Sequence, residues 1–182
     1  MRLLVLFLLA LAVAACDSGG PGRYGRGTIQ GTYTLPDGTT GAFRRDAQAR
    51  VSPYSGLGTS DRFVFGTRYQ PAGSEPSVSV GFRQSGLAPR PGSFSSRYTG
   101  PDEPTIGASF TILNVPVVDA EGRLDTVTVS SSYPEGTVEV RVADSMVSGE
   151  FELIGQPLNP AELSLGASVR GRFEVEYEPY RE

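Results

Sequence analysis

From Thr28 onward, apolar and polar residues alternate along the chain with a period of two. The clearest runs are 137–142, 147–153 and 169–177. Because successive side chains of a strand point to opposite faces, each run predicts a strand with one buried and one solvated face. Shorter runs of the same kind occur at 28–34, 39–51, 61–69, 77–83, 106–113 and 124–131.

Turn-forming Gly, Pro and Asp residues separate these runs, and no stretch of useful length has the 3.6-residue period of a helix. Only Pro160 to Gly166 could form a helical turn. The pattern therefore predicts an all-β fold, an antiparallel β-sandwich or flattened barrel of about nine or ten strands.

The pairing register of one hairpin can be predicted from the sequence. A two-residue turn at 144–145 places every apolar side chain of the two flanking strands on one face, with Val142 opposite Val147 and Val138 opposite Phe151. A slip by one residue would destroy that match. The predicted core is centred on Val140, Phe151, Leu153, Phe173 and Val175.

The opposite face of this hairpin carries a surplus of acid, from Glu139, Glu150 and Glu152. Arg170 and Arg172 hold the outward positions of the last strand, so we expect that strand to pair with 147–153 and to balance the charge. We interpret the outward-facing acids, such as Glu150, Glu152, Glu174 and Glu176, as a solvated charged face.

A short pattern, apolar-x-Gly-x-aromatic, occurs at 29–33, 147–151 and 169–173. The glycine leaves a gap on the face that carries the ring, and an aromatic ring of the neighbouring strand can cover that gap. We interpret the pattern as core packing; a ligand pocket lined by the rings is the alternative.

The order of these elements in the C-terminal half is similar to that of small uncharacterised lipid-anchored β-sandwich proteins of the Bacteroidetes group. Upstream, Phe63-Val-Phe65-Gly66 and Pro91-Gly92-Ser-Phe94 occur in the order that those proteins show. The resemblance covers roughly residues 46–177. It implies a fold and a location, and it brings no catalytic residues.

The only cysteine, Cys16, directly follows an apolar run that begins after Arg2 and ends in Val13-Ala-Ala. This segment resembles the lipobox of bacterial lipoproteins, which implies acylation of Cys16 and cleavage before it. The run is shorter than the roughly 20 residues of a spanning helix. A transmembrane helix and ordinary secretion, with cleavage after an Ala-x-Ala pattern, remain the alternatives.

We accordingly predict a signal peptide at 1–15, an acylated N-terminus with a flexible Gly-rich linker at 16–27, and a single β-sandwich domain at 28–182. The expected location is a bacterial envelope membrane, to which the lipid anchors a protein exported across the inner membrane. We expect the outer membrane; Asp17, after the cysteine, resembles a signal for inner-membrane retention in enteric bacteria and keeps that alternative open.

The amino-acid composition excludes several kinds of catalytic and metal site. All 16 basic residues are arginine, there is no histidine, lysine or tryptophan, and the net charge is −4. Without imidazole or lysine, histidine-based catalysis, histidine-ligated zinc and a lysine Schiff base are excluded. Because no basic stripe follows the chain, we expect no nucleic-acid partner, and we expect no enzymatic activity and no cofactor.

The segment Asp119-Ala-Glu121-Gly-Arg-Leu-Asp125 superficially resembles a calcium loop, because several acids surround a glycine. It lacks the complete ligand series of an EF-hand, and it also fits an ordinary hairpin turn. We therefore predict no metal site and keep this loop as the alternative.

Tyrosines near Gly-, Pro- and Ser-rich loops could stack against sugars, and they are Tyr54, Tyr69, Tyr98 and Tyr133. The long stretch 85–104 is the expected variable loop and binding edge. We expect a lipid-anchored envelope protein whose sandwich is a non-catalytic binding or structural module, with a glycan or an envelope protein as its partner. The alternative is a carbohydrate-binding accessory protein of a surface uptake system, and an enzyme with a carboxylate-based site ranks behind both.

Overall fold

The structure, a computed structural model, describes residues 25–52, 62–68, 76–96, 106–118, 121–156 and 166–178. Ten strands run through these residues: β1 (Gly25–Thr34), β2 (Thr40–Ser52), β3 (Arg62–Thr67), β4 (Ser77–Ser85), β5 (Gly92–Ser95), β6 (Gly107–Val118), β7 (Leu124–Ser131), β8 (Glu135–Ala143), β9 (Met146–Ile154) and β10 (Ser168–Glu176). Over this part of the chain, no helix has the length and apolar character to cross a membrane.

The strands form one curled sheet in the order β5-β8-β9-β10-β1-β2-β3-β4-β6-β7, with every neighbouring pair antiparallel. The predicted all-β fold is thus confirmed. The two ends of the sheet approach each other where the N–H of Ile106, just before β6, donates to the carbonyl of Ser95 in β5 (3.1 Å).

Two boundaries differ from those expected. β5 lies inside the stretch 85–104, which was predicted as a loop, because four residues pair with β8 and bury Phe94. β1 begins at Gly25, so the last three residues of the predicted 16–27 linker belong to the sheet. Composition indicated a linker there, but glycines are tolerated in this strand because neighbouring backbones approach it closely.

The curled sheet packs its inner face against itself through aromatic rings. The ring of Phe82 on β4 lies 4.9 Å from that of Phe65 on β3 and 5.3 Å from that of Phe151 on β9. Phe65 also contacts Phe173 on β10, with the ring centroids 4.9 Å apart. These contacts bring β3 and β4 against β9 and β10, so the core lies between the two halves of the sheet.

The hairpin register is confirmed in the structure. Val142 pairs with Val147, Val140 with Gly149 and Val138 with Phe151 across the turn at 144–145. The five predicted core residues, Val140, Phe151, Leu153, Phe173 and Val175, are all buried. β10 also pairs with β9 as expected, with Arg170 opposite Glu152 and Arg172 opposite Glu150.

Glycines on one strand lie opposite aromatic residues on the neighbouring strand. On β9 and β10, Phe151 lies opposite Gly171, and Phe173 lies opposite Gly149. On β1 and β2, Gly31 lies opposite Phe43 and Tyr33 opposite Gly41. The arrangement supports the interpretation of the apolar-x-Gly-x-aromatic pattern as core packing, because a ring on one strand covers the missing side chain on the next.

Buried polar side chains fasten loops to the sheet. Gln84, 1 % exposed, donates to the carbonyl of Arg90 (3.0 Å) and accepts from its N–H (2.9 Å). The Ser96 hydroxyl donates to the carbonyl of Pro134 (2.8 Å), and the Ser131 hydroxyl accepts from the N–H of Gln156 (3.2 Å). Because each of these groups has a partner, their burial costs little and fixes the geometry of the loops.

Candidate functional site

An open trough of about 740 Å³ crosses the outer face of the sheet over β8, β9, β10, β1 and β2. We call it the outer-face trough. Its walls consist of Thr137, Glu139, Glu150, Glu152, Arg170, Arg172, Gln30, Thr32 and Arg44, with Gly31, Gly171, Phe43 and Phe151 beneath them.

Strand register aligns the wall residues in rows. Glu150, Arg172, Gln30 and Arg44 lie directly opposite one another across four neighbouring strands. Each stands at an outward position of its strand, next to a buried residue that faces the core, and these buried neighbours are Phe151, Phe173, Ile29 and Phe43. The sequence alternation therefore orders the side chains of the trough as strictly as it orders the core.

Two glycines face each other at the floor of the trough. Gly31 on β1 pairs with Gly171 on β10, and a Cβ on either residue would overlap a carbonyl oxygen of the other strand, that of Arg170 or of Gln30. The two backbones therefore approach more closely here than strands with side chains allow.

The two sides of the trough carry opposite charge. β8 and β9 contribute Glu139, Glu150 and Glu152, whereas the cations stand on β10 and β2. Although Glu150 and Glu152 lie opposite arginines, no salt bridge within 4 Å links these opposed pairs. The strand register thus places the acids opposite arginines, as expected, but the opposed side chains do not form ion pairs.

The arginines of the trough instead turn toward β1. The Nε of Arg170 donates to the Thr32 hydroxyl (3.3 Å), and a terminal nitrogen of Arg44 lies 3.4 Å from the Gln30 side-chain oxygen. Arg172 lies on the other side of the same amide. With that amide turned to present its oxygen, Gln30 accepts from the Nε and a terminal nitrogen of Arg172 at 2.7 and 2.6 Å.

A second cavity of about 300 Å³ adjoins the trough around this amide. It is lined by Thr28, Gln30, Arg44, Arg172, Phe173 and Glu174. Three of these residues, Gln30, Arg44 and Arg172, also line the trough, so the two cavities share one wall. The shared wall brings two guanidiniums and one amide together on an exposed surface.

The suggested calcium loop is only partly within the described residues, since Asp119 lies outside them. Glu121 forms an ion pair with Arg123 (3.0 Å), and Asp125 accepts from the N–H of Thr126 (2.7 Å). Within the described ranges, no three acidic, histidine or cysteine residues are grouped as metal ligands. The calcium alternative stays an untested prediction.

The other predicted sites are mostly outside the described ranges. Cys16, Tyr54, Tyr69 and Tyr98 fall there, and their roles stay predictions. Tyr133, between β7 and β8, is 66 % exposed. Ile154, at the end of β9, is 45 % exposed and pairs with Glu135, two residues after Tyr133. The next outward pair along these strands is Thr137 and Glu152, which line the trough.

Comparison with protein-family models, with curated proteins and with solved structures finds no match to this chain.

Proposed function

We propose that this chain is a lipid-anchored protein of the bacterial cell envelope whose β-sandwich binds a polar ligand without catalysis. The observation that carries the binding role is the outer-face trough, where Glu150 and Glu152 face Arg172 and Arg170 without pairing. Opposed charges that do not neutralise each other leave hydrogen-bonding capacity for a ligand.

The N-terminal sequence supports a location at a membrane of the envelope. Val13-Ala-Ala-Cys16 after a short apolar run supports acylation and attachment to a membrane. The proposed partners are the membrane, through Cys16, and a glycan or protein of the envelope. The absence of histidine and lysine from the whole sequence supports a non-catalytic role.

Blocking the trough tests this proposal. Thr32→Trp places a large ring at an exposed wall position, and Thr128→Trp, on the outer face of β7, is the matched control. Purified envelope polysaccharide and peptidoglycan would be incubated with the full chain and sedimented. We expect binding that Thr32→Trp reduces at least tenfold and Thr128→Trp leaves unchanged. Equal binding by both variants would remove the trough from the proposal.

Carbohydrate binding for a surface uptake system is the second proposed function, and Tyr133 favours it. A tyrosine that is 66 % exposed offers a flat surface on which a sugar ring can stack. A glycan array compares the chain with Tyr133→Ala and with the control Leu124→Ala, which removes a similarly exposed side chain. Selective loss of a glycan signal in Tyr133→Ala is expected; the same loss in both variants contradicts a stacking role.

A further inference from the structure

We propose that Arg44 and Arg172 form an anion-binding subsite at the wall shared by the two outer cavities, and that its ligand is the carboxylate of a hydroxyl-rich glycan. The inference rests on the proposed function in that it takes the outer-face trough to be a binding site. It adds the chemical class of the ligand and the residues that select it.

Arg44 and Arg172 share a single side-chain acceptor, the amide oxygen of Gln30. Gln30 carries one amide oxygen and lies between the two guanidiniums, 3.4 Å from Arg44 in one orientation and 2.6 Å from Arg172 in the other. Whichever way the amide is turned, its NH₂ group faces one guanidinium, and both groups are donors. Gln30 therefore offers an acceptor to only one of the two guanidiniums at a time.

The acids nearby do not supply that acceptor. Glu150 is the direct cross-strand neighbour of Arg172, and Glu174 lines the same cavity as both arginines. Neither forms a salt bridge within 4 Å with these arginines in the described part of the chain. Two guanidiniums that flank an amide, with no paired carboxylate, favour an anion from outside the protein.

Carboxylate chemistry suits this geometry. A guanidinium presents a planar set of donors that matches the two oxygens of a carboxylate, and such charge-assisted hydrogen bonds are stronger than neutral ones. A carboxylate between Arg44 and Arg172 would also relieve the repulsion between the two cations. Thr28, on the neighbouring position of β1, lines the cavity with a further hydroxyl.

The remainder of the trough favours a glycan as the carrier of that carboxylate. Its exposed wall residues beyond the subsite exchange hydrogen bonds with hydroxyl groups, and they are Thr32, Thr137, Glu139, Glu150, Glu152 and Arg170. Glu139, Glu150 and Glu152 repel a ligand that carries a negative charge on every unit. A chain of neutral sugars with an occasional uronate places hydroxyls against the glutamates and one carboxylate against the arginines.

The test uses an oligosaccharide of neutral xylose units that bears one glucuronate, and the same oligosaccharide with the carboxylate reduced to an alcohol. Calorimetry on the full chain measures both affinities. We expect the acidic form to bind about tenfold more tightly and to weaken as salt is raised. The double variant R44Q/R172Q should bind the two forms equally, and R172K, which lacks the planar fork, should show a reduced preference.

R83Q is the matched control, because Arg83 is an exposed arginine on the outer face of β4, away from the trough. It should keep the full preference for the acidic form. Equal affinities of the unmodified chain for both forms, or a preference that R44Q/R172Q retains, would overturn the subsite. The assignment to a glycan would be overturned if the chain bound neither form of the oligosaccharide. It would also be overturned if the chain bound only an acidic peptide and R44Q/R172Q weakened that binding.

The Thr32→Trp variant separates failure of this inference from failure of the proposed function. If Thr32→Trp still abolishes binding of envelope material while the arginine variants change no preference, the trough is a binding site and only the anion subsite is wrong. If Thr32→Trp changes nothing, the binding role of the trough is itself wrong.

Discussion

Replacing Phe151 by alanine tests how the core depends on rings that cover glycines. Phe151 is 4 % exposed, and its ring contacts that of Phe82 across the core at 5.3 Å in an edge-to-face arrangement. The position opposite it on β10 is Gly171, which has no side chain. Removal of the ring therefore leaves a space that the adjacent residue cannot fill.

The expected cost lies in the upper part of the usual range. Truncation of a buried Phe to Ala costs about 3–5 kcal/mol, and the cost rises with the volume of the cavity that remains. Because the missing side chain at Gly171 prevents collapse, we expect about 4–5 kcal/mol for Phe151→Ala. Part of this is the contact with Phe82, worth about 0.5–1.5 kcal/mol for an aromatic pair.

Urea unfolding followed by far-UV circular dichroism measures this loss, since the chain has no tryptophan for fluorescence. Glu150→Ala, at the exposed neighbouring position, is the control and should change the unfolding free energy by less than about 0.5 kcal/mol. A double-mutant cycle with Phe82→Ala should return a coupling energy of about 0.5–1.5 kcal/mol.

Equal losses from Phe151→Ala and Glu150→Ala would refute the reasoning, because they would mean that the register of β9 is shifted by one residue. A coupling energy near zero would leave the register intact and remove the contact between the two halves of the sheet. The two results therefore test different parts of the structure.

Four further predictions concern separate features. Mass spectrometry of the native protein should find an N-terminus at Cys16 with acyl chains, and a Cys16→Ser protein still held tightly by membranes would contradict lipidation. Gly171→Ala should destabilise the fold by about 2–3 kcal/mol, because its Cβ would overlap the Gln30 carbonyl, whereas Gly81→Ala, which meets only the Ser109 hydroxyl at 3.3 Å, should stay within about 0.5 kcal/mol. Since Glu121 is paired with Arg123, calcium should leave the melting temperature unchanged; a rise of several degrees that a chelator reverses would restore the calcium loop. The N–H of Thr39 donates to the Asp37 carboxylate (2.9 Å) and lowers the pKa of that carboxyl. The stabilising effect of this hydrogen bond is therefore present above the ordinary aspartate pKa and is lost as pH falls through the lowered value. NMR titration should find the lowered pKa, and an ordinary pKa would contradict the contact.

The strands could be predicted from the sequence because the period of two is read directly from alternating side chains. Register at 144–145 followed for the same reason, since only one alignment buries every apolar residue. β5 was missed because its four residues, Gly92–Ser95, are too short to establish a period and lie among Pro, Gly and Ser. Only their pairing with β8 identifies them as a strand.

The trough could be predicted only in part. The outward positions of Glu150, Glu152, Arg170 and Arg172 were identified, together with the pairing of their strands. Gln30 and Arg44 were missed, because β1 and β2 join this surface through a pairing of β1 with β10 that spans most of the chain. A sequence without alignment contains no local signal for contacts at that separation.

The position of β1 determines how mechanical load enters the molecule. β1 is the fifth of ten strands and is hydrogen-bonded to β10 on one side and β2 on the other, and it begins at Gly25. A pull on the residues before Gly25 therefore acts along a central strand, and both ladders resist it in shear at the same time. An edge strand would instead peel away one bond after another. A chain attached by its N-terminus and pulled by a bound ligand would thus transmit force through the part of the sheet best able to withstand it.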